Sequence, residues 1–339
     1  MSVGIDIGSK SIKVVELTHD GDLYSLKSAG IIGLKTESQM ASAQDGKTDP
    51  ELLSSIKKLF SDAKISGKNV SIAISESQAF TRVVKFPLLT DQEIESAIKW
   101  EAEGAIPIPL NEAIIQHQIL ERRENVTPPE VSVLLVAAPK VAVERYVKIL
   151  SEAGLNVVGV ETELLSLTRA LAPASQTVVL VDFGAKSTDI AIARNGLLVF
   201  SRTIPTAGEA FTRAIAQSLG VATTQAEEYK KTYGLTSGQL EGKVSGALAG
   251  VFNVITEEIK KTIHFYQTEE KGEVPSSIIL SGGSSELPQV APMLTKLVGI
   301  EVDIANPFAK VKIDPTYAKT LTAYAPLYSV AVGLALRGD

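Results

Sequence analysis

Ile5-Asp6-Ile7-Gly8-Ser9-Lys10-Ser11 returns later in the chain as Val181-Asp182-Phe183-Gly184-Ala185-Lys186-Ser187: in both, an apolar run ends in an acid and opens a glycine turn. Glycine allows a tight bend in which successive N–H groups face one anion, and Ser and Lys add donors and positive charge. A carboxylate just before the bend would repel a phosphate directly. The pair Asp6 and Asp182 therefore suggests Mg²⁺ with retained water between acid and phosphate. Two such turns can close on one nucleotide.

The flanking sequence repeats as well. Ser11 to Leu17 and Thr188 to Ala193 alternate like strands, Asp20-Gly21 answers Asn195-Gly196 as a hairpin turn, and Leu23 to Leu26 and Leu197 to Phe200 lead the next strands. Each half thus opens with a β-meander, and a duplicated α/β unit leaves a cleft between its copies.

The 339 residues, 45% of them hydrophobic, suffice for several cores. With no cysteine, disulfides and thiolate metal sites are excluded, and His19, His117 and His264 stand too far apart in sequence to suggest ligation. A net charge of −6 without a Lys/Arg cluster interleaved with aromatics argues against nucleic acid. No apolar run is long enough to span a bilayer, and the chain enters a strand at once. The expected location is cytoplasmic, without direct membrane insertion.

Near the C-terminus, Ser277 to Leu280 runs into Ser281-Gly282-Gly283-Ser284-Ser285, where Gly282 and Gly283 would let the backbone approach a base or ribose and Ser284 can donate to a phosphate. The order of acid-glycine turn, acid-glycine turn and Gly-Gly turn resembles the actin, sugar kinase and heat-shock chaperone ATPase superfamily. Within it, Gly4 to Ser9, Val181 to Gly184, Leu280 to Ser284 and Val332 to Arg337 are similar to the PilM pilus-assembly and FtsA cell-division families. The implied fold class is α/β, with duplicated actin-like (ribonuclease H-like) halves around a nucleotide cleft.

Arg82 to Val160 reads as β-α-β-β-α-β, with Thr90 or Asp91 capping its first helix, and resembles the inserted FtsA-type subdomain of those families. The expected division is 1–81 for the first part of domain 1, 82–160 for the insert, 161–176 for a connecting helix, 177–205 for the domain 2 core, 206–276 for a helical subdomain, 277–314 for the return of domain 2, and 315–339 for a C-terminal helix on domain 1. Tyr328 to Leu336 runs into Arg337-Gly338-Asp339 without a basic amphipathic face, so a buried helix is expected rather than an FtsA-like membrane anchor.

The resemblance implies ATP and Mg²⁺ as cofactors. It assigns Gly8, Ser9 and Lys10 to a first phosphate cradle, Lys13 to the phosphates, and Gly184, Ala185, Lys186 and Ser187 to a second cradle, with Lys186 also readable as a solvent-facing turn residue. Gly208, Glu227 and Lys230 fall in the helical subdomain beside the adenosine, the last two on one helix face, where an acid would accept from ribose hydroxyls and an ammonium would neighbour the base. Glu161 is the expected catalytic residue and Glu163 its reserve, although both equally suit the N-terminus of the next helix. The implied partner is a PilN-like inner-membrane protein, through its cytoplasmic N-terminal tail, with self-association possible. Slow ATP turnover or binding alone fits equally. A sugar or acetate-type kinase and an FtsA-like polymer-forming protein are the alternatives.

Overall fold

The computed structural model describes residues 1–21, 23–34 and 49–338. The loop from Lys35 to Pro50, whose ordering on binding the sequence leaves open, lies outside them except for its last two residues. Of these, Asp49 caps the first helix by accepting from the amides of Glu51 and Leu52.

The first half runs β1 (Ser2–Ile7), β2 (Ser11–Asp20), β3 (Leu23–Gly33), α1 (Pro50–Asp62) and β4 (Asn69–Ile74). The chain then leaves this half for β5 (Phe80–Pro87), α2 (Asp91–Ala105), β6 (Ala113–Arg123) and β7 (Glu130–Pro139), and returns as α3 (Lys140–Glu152) and β8 (Asn156–Thr162). Helix α4 (Glu163–Leu171) leads into the second half: β9 (Thr177–Phe183), β10 (Thr188–Arg194), β11 (Leu197–Ile204), α5 (Gly208–Leu219), α6 (Thr223–Tyr233), α7 (Lys243–Thr268), β12 (Ile278–Ser281), α8 (Val290–Val298) and β13 (Val302–Ile304). A short β14 (Val311–Lys312), α9 (Pro315–Ala323) and α10 (Ser329–Ala335) follow.

Both large sheets have the same strand order. The first is β3-β2-β1-β4-β8 with β14 added at the β3 edge, and the second is β11-β10-β9-β12-β13. In each, the first three strands form an antiparallel meander and the last two join in parallel. This is the duplication read from the repeated turns.

Pairing departs from the sequence reading at one boundary. The strand expected to finish the insert, β8, pairs with β4 in the first large sheet. Helix α3 buries Tyr146, Ile149 and Leu150 in the same core as Leu52, Ile56 and Leu59 of α1. The insert is therefore the separate three-stranded sheet β5-β7-β6 with α2 on one face. Thr90 caps α2 in a reciprocal box with Glu93, as the sequence suggests. Ile94, Ile98 and Ala102 of α2 meet Val131, Val133, Leu135 and Ala137 of β7. The alternate β7 residue Leu134 faces the other way and joins α4 and the second half's Val178, Leu180, Ala191, Ala193 and Leu198.

Helices α4 and α10 form the middle layer between the two large sheets. All seven residues of α10 are buried. Its approach is close on both sides: a Cβ on Gly4 of β1 would lie 2.1 Å from the Ala331 carbonyl oxygen, and one on Gly333 would lie 1.9 Å from that of Ser166. Among the described residues, no helix is long and apolar enough to cross a membrane.

Candidate functional site

The two acid-glycine turns close identically. Gly8 N–H donates to the Ser11 carbonyl at 3.1 Å, and Gly184 N–H donates to the Ser187 carbonyl at 3.1 Å. They also lie near each other across the gap between halves: Lys10 Nζ, in the first turn, sits 2.9 Å from Oε1 of Glu209, in the opening turn of α5. Around the second turn, Gly208 N–H donates to the Gly184 carbonyl at 3.2 Å, Glu209 N–H to that of Ala185 at 2.8 Å, and Ser284 Oγ to that of Gly184 at 3.0 Å. Residues 184, 185, 208 and 284 thus form one surface, drawn from three separated stretches of sequence.

The Gly-Gly turn packs closely on the second acid-glycine turn. Gly282 has φ +81°, and a Cβ there would stand 2.5 Å from Asp182 Oδ1 and 2.7 Å from the Phe183 carbonyl oxygen. Its missing side chain lets this turn press against the end of β9. Gly283 is more open, with Leu327 Cδ2 3.4 Å from where its Cβ would be.

Strand register explains the electrostatics. Asp6 is paired across the ladder with Lys13, whereas the equivalent acid Asp182 is paired with Asp189. The first pair is an ion pair at 3.0 Å. Burial disfavours the Lys13 charge, but Asp6, Asp182 and Glu163 together outweigh it and raise its pKa. Like charges opposed on neighbouring strands repel. Burial first, then Asp189 and Asp6, push Asp182 up to about 7 despite Lys13. Burial also raises Asp189, although it accepts from Thr203 Oγ1 at 2.6 Å and Ser187 Oγ at 2.8 Å.

Glu161 and Glu163, the expected catalytic residue and its reserve, lie in different surroundings. Glu161 is held by Arg169 in a two-pronged ion pair of 2.5 and 2.7 Å, and the same guanidinium donates to the Gly333 carbonyl at 2.8 Å. It is a strut between β8, α4 and α10. Glu163 instead feels the cleft: burial foremost, then Asp6, Asp189, Asp182 and Glu76, raise its carboxyl well above the ordinary range. Neither acid caps α4 by a side-chain hydrogen bond. Glu76 does so, accepting from Leu164 N–H at 2.9 Å.

The site thus gathers more carboxyl groups than Lys13 can balance, and a divalent cation fits that donor chemistry. Among the described residues, no three Asp, Glu or His side chains are placed to ligate a metal directly. Such an ion would complete its shell with water and phosphate oxygens, as hard cations commonly do.

In the helical subdomain, Glu227 accepts from Thr212 Oγ1 at 2.6 Å and Lys230 Nζ at 2.6 Å. Lys230 also donates to the Gly208 carbonyl at 3.0 Å and to Thr212 Oγ1 at 2.9 Å. An ammonium has three protons, so Lys230 is committed to fixing the Gly208 end of α5 and has none left for a base. Glu227 keeps an accessible face. Lys186 is exposed at the tip of the second turn.

Sequence reading missed Asp189 and Glu76. The signal available for Glu76 was its place just beyond the C-terminal end of a parallel strand, where open α/β sheets collect functional groups. The signal for Asp189 was the repeat itself, which aligns it with Lys13 when Gly184 is aligned with Gly8 and so sets it across the ladder from Asp182.

Duplicated sheets of this order, joined by central helices and presenting facing glycine turns, define the class: an actin-like fold with an inserted subdomain. The pattern of the family described as Type IV pilus assembly protein PilM matches residues 4–339, and the chain belongs to that family. Its fold is similar to that in a solved PilM-PilN type IV pilus biogenesis complex, with TM-score 0.83 and 27% identity over 99% of this chain and 98% of that one. Among curated proteins, it is 25% identical to the cell division protein FtsA of Pseudomonas aeruginosa over 100% of this chain and 89% of that protein. The MreB 5 structure of Spiroplasma citri bound to AMPPNP shares the fold, with TM-score 0.56 and 14% identity over 98% and 93% of the two chains. Family membership and the inserted sheet set aside the sugar-kinase reading.

Proposed function

We propose that this chain is a nucleotide-switched scaffold of type IV pilus assembly, which holds MgATP between its halves and takes the cytoplasmic N-terminal tail of a PilN-like membrane protein beside its inserted sheet. The observation that carries this reading is the approach of the two identical turns, with Lys10 reaching Glu209 across the gap. Gly8 and Gly184 use their own amides to close the turns. The cradle therefore draws on the residues that follow: Ser9, Lys10 and Lys13 on one side, and Ala185 and Lys186 on the other, while Ser187 and Ser284, expected as hydroxyl donors, give those protons to Asp189 and the Gly184 carbonyl and can offer a phosphate only their backbone N–H groups.

Asp6 and Asp182 would hold Mg²⁺ through water, and that ion would supply charge stabilisation at the phosphates. Glu163 replaces Glu161 as the acid for the attacking water, because it stands among Asp6, Asp182 and Asp189 whereas Arg169 holds Glu161 away in an ion pair. Glu227 is offered to the ribose, and Gly208 to the adenosine side. The expected division into domains stands within this proposal, with the insert redrawn as the three-stranded sheet and α2.

Ligand contact with both halves favours the closed cleft in proportion to its preference for that state. A roughly 100-fold preference corresponds to about 2.7 kcal/mol, enough to move a balanced equilibrium without fast turnover. The partner's tail would place the scaffold at the inner membrane's cytoplasmic face. The complex named PilM-PilN, whose first member this chain resembles, supports that partner. A pull-down with a PilN-like N-terminal tail peptide tests the proposal: the peptide is retained, with an affinity that MgATP changes. No retention with or without nucleotide would refute it.

A further inference from the structure

We infer that Glu76 is a positioning residue that couples the cleft to the inserted sheet, capping α4 beside Glu163 with one carboxylate oxygen and holding Thr81 of β5 with the other. The inference rests on the nucleotide reading above and adds a route by which the cleft reaches the insert.

Glu76 lies in the short turn between β4 and β5, where the chain leaves the first half for the insert, and is only 7% exposed. Its Oε1 accepts from Leu164 N–H at 2.9 Å, and its Oε2 accepts from Thr81 Oγ1 at 3.4 Å. A buried carboxylate that holds two elements resists their separate movement, because losing either partner leaves a desolvated acceptor unmet. The groups around it are acids of the cleft: Asp189 of β10 acts on it, and it acts in turn on Asp182 of β9 and Glu163 of α4. Burial foremost raises it to about 7, against the pull of the Thr162 hydroxyl and the Leu164 amide.

The far side of the linkage is equally physical. Beyond Thr81, Val83 of β5 joins Leu134 and Val136 of β7 against Val178, Leu180 and Leu198 of the second half. Lys85 pairs with Glu270 at 2.5 Å, and Arg194 pairs with Glu121. The insert thus touches the second half directly, and meets the first half and α4 through apolar contacts of Leu134 and Ala138 and through the polar link at Glu76. A change in the angle between halves must either slide this interface or turn the sheet.

Hydrogen–deuterium exchange of peptides covering residues 80–87, with and without saturating MgATP, reads the coupling, and calorimetry reads ATP affinity. Wild-type exchange in that segment is expected to change at least threefold on binding. Glu76→Ala should lose the change at saturating MgATP, whatever its own ATP affinity, and Thr81→Val, which lies outside the cleft, should bind ATP within about threefold of wild type. Glu76→Gln keeps an oxygen for the Leu164 amide and should restore it. Thr81→Val cuts only the β5 arm, so it should also lose the change, and it decides alone if Glu76→Ala does not fold. Full ATP-linked exchange in Glu76→Ala or Thr81→Val, or wild-type binding without any change at 80–87, overturns this inference alone. A wild-type chain that binds no MgATP overturns the nucleotide reading and this inference with it.

Discussion

Replacing Asp182 by Asn should stabilise the nucleotide-free protein at alkaline pH while abolishing its response to MgATP. Asp182 moves from an ordinary 3.8 to about 7 on folding, because it is buried opposite Asp189 and near Asp6. At about 1.36 kcal/mol per pH unit, the roughly three-unit difference sets a ceiling of about 4 kcal/mol, and partial access to water reduces the expected value to about 2–3 kcal/mol. The sign follows from proton counting. Below about pH 4 the group is protonated whether folded or not, and no penalty exists. Between about 4 and 7 the unfolded chain releases the proton that the folded one keeps, so stability falls as pH rises and levels off above about 7. Asn carries no such proton. Urea unfolding of both proteins at pH 5, 6.5 and 8 should show the variant gaining on wild type as pH rises. Parallel profiles, or a variant less stable than wild type at pH 8, would refute the charge-crowding argument. MgATP should raise the wild-type melting temperature and leave that of Asp182→Asn unmoved.

Glu163→Gln should bind MgATP normally and lose any measurable hydrolysis, whereas Glu161→Gln should keep its nucleotide properties but lose about 1–3 kcal/mol of stability through the weakened Arg169 pair; calorimetry and phosphate release separate the two. Gly282→Ala combines an unfavourable positive φ with a Cβ 2.5 Å from Asp182 Oδ1, so ATP affinity should fall at least tenfold, and an unchanged titration would contradict the placement of this turn. Gly333→Ala would drive a methyl into the Ser166 carbonyl, displace α10 and lower stability by about 3 kcal/mol, read as an earlier urea midpoint.

The duplication was legible because its carriers are local. A glycine that must bend and an acid at a strand end leave a mark in sequence, and Gly8 and Gly184 do close the same turn. The edge of the insert was not legible, since β-α-β-β-α-β describes local order alone. Which sheet β8 joins is decided by pairing with β4, far away in sequence. Glu161 and Glu163 share a parity that suits one face of a strand, but the strand ends at Thr162 and a helix begins, which sends the two carboxylates to different places. Lys230 was expected to offer its ammonium to the base from one face of the helix. Only the packing of α6 against α5 showed that its three protons are spent inside.

The central claim is that one nucleotide bridges the two halves, and titration calorimetry with MgATP on wild type, Gly8→Val and Gly184→Val tests it most directly. Wild type should bind one ATP per chain, and each variant should lose at least 100-fold in affinity, because a branched side chain at either turn blocks a shared phosphate. Normal binding in either variant, or two ATP per chain, would contradict it.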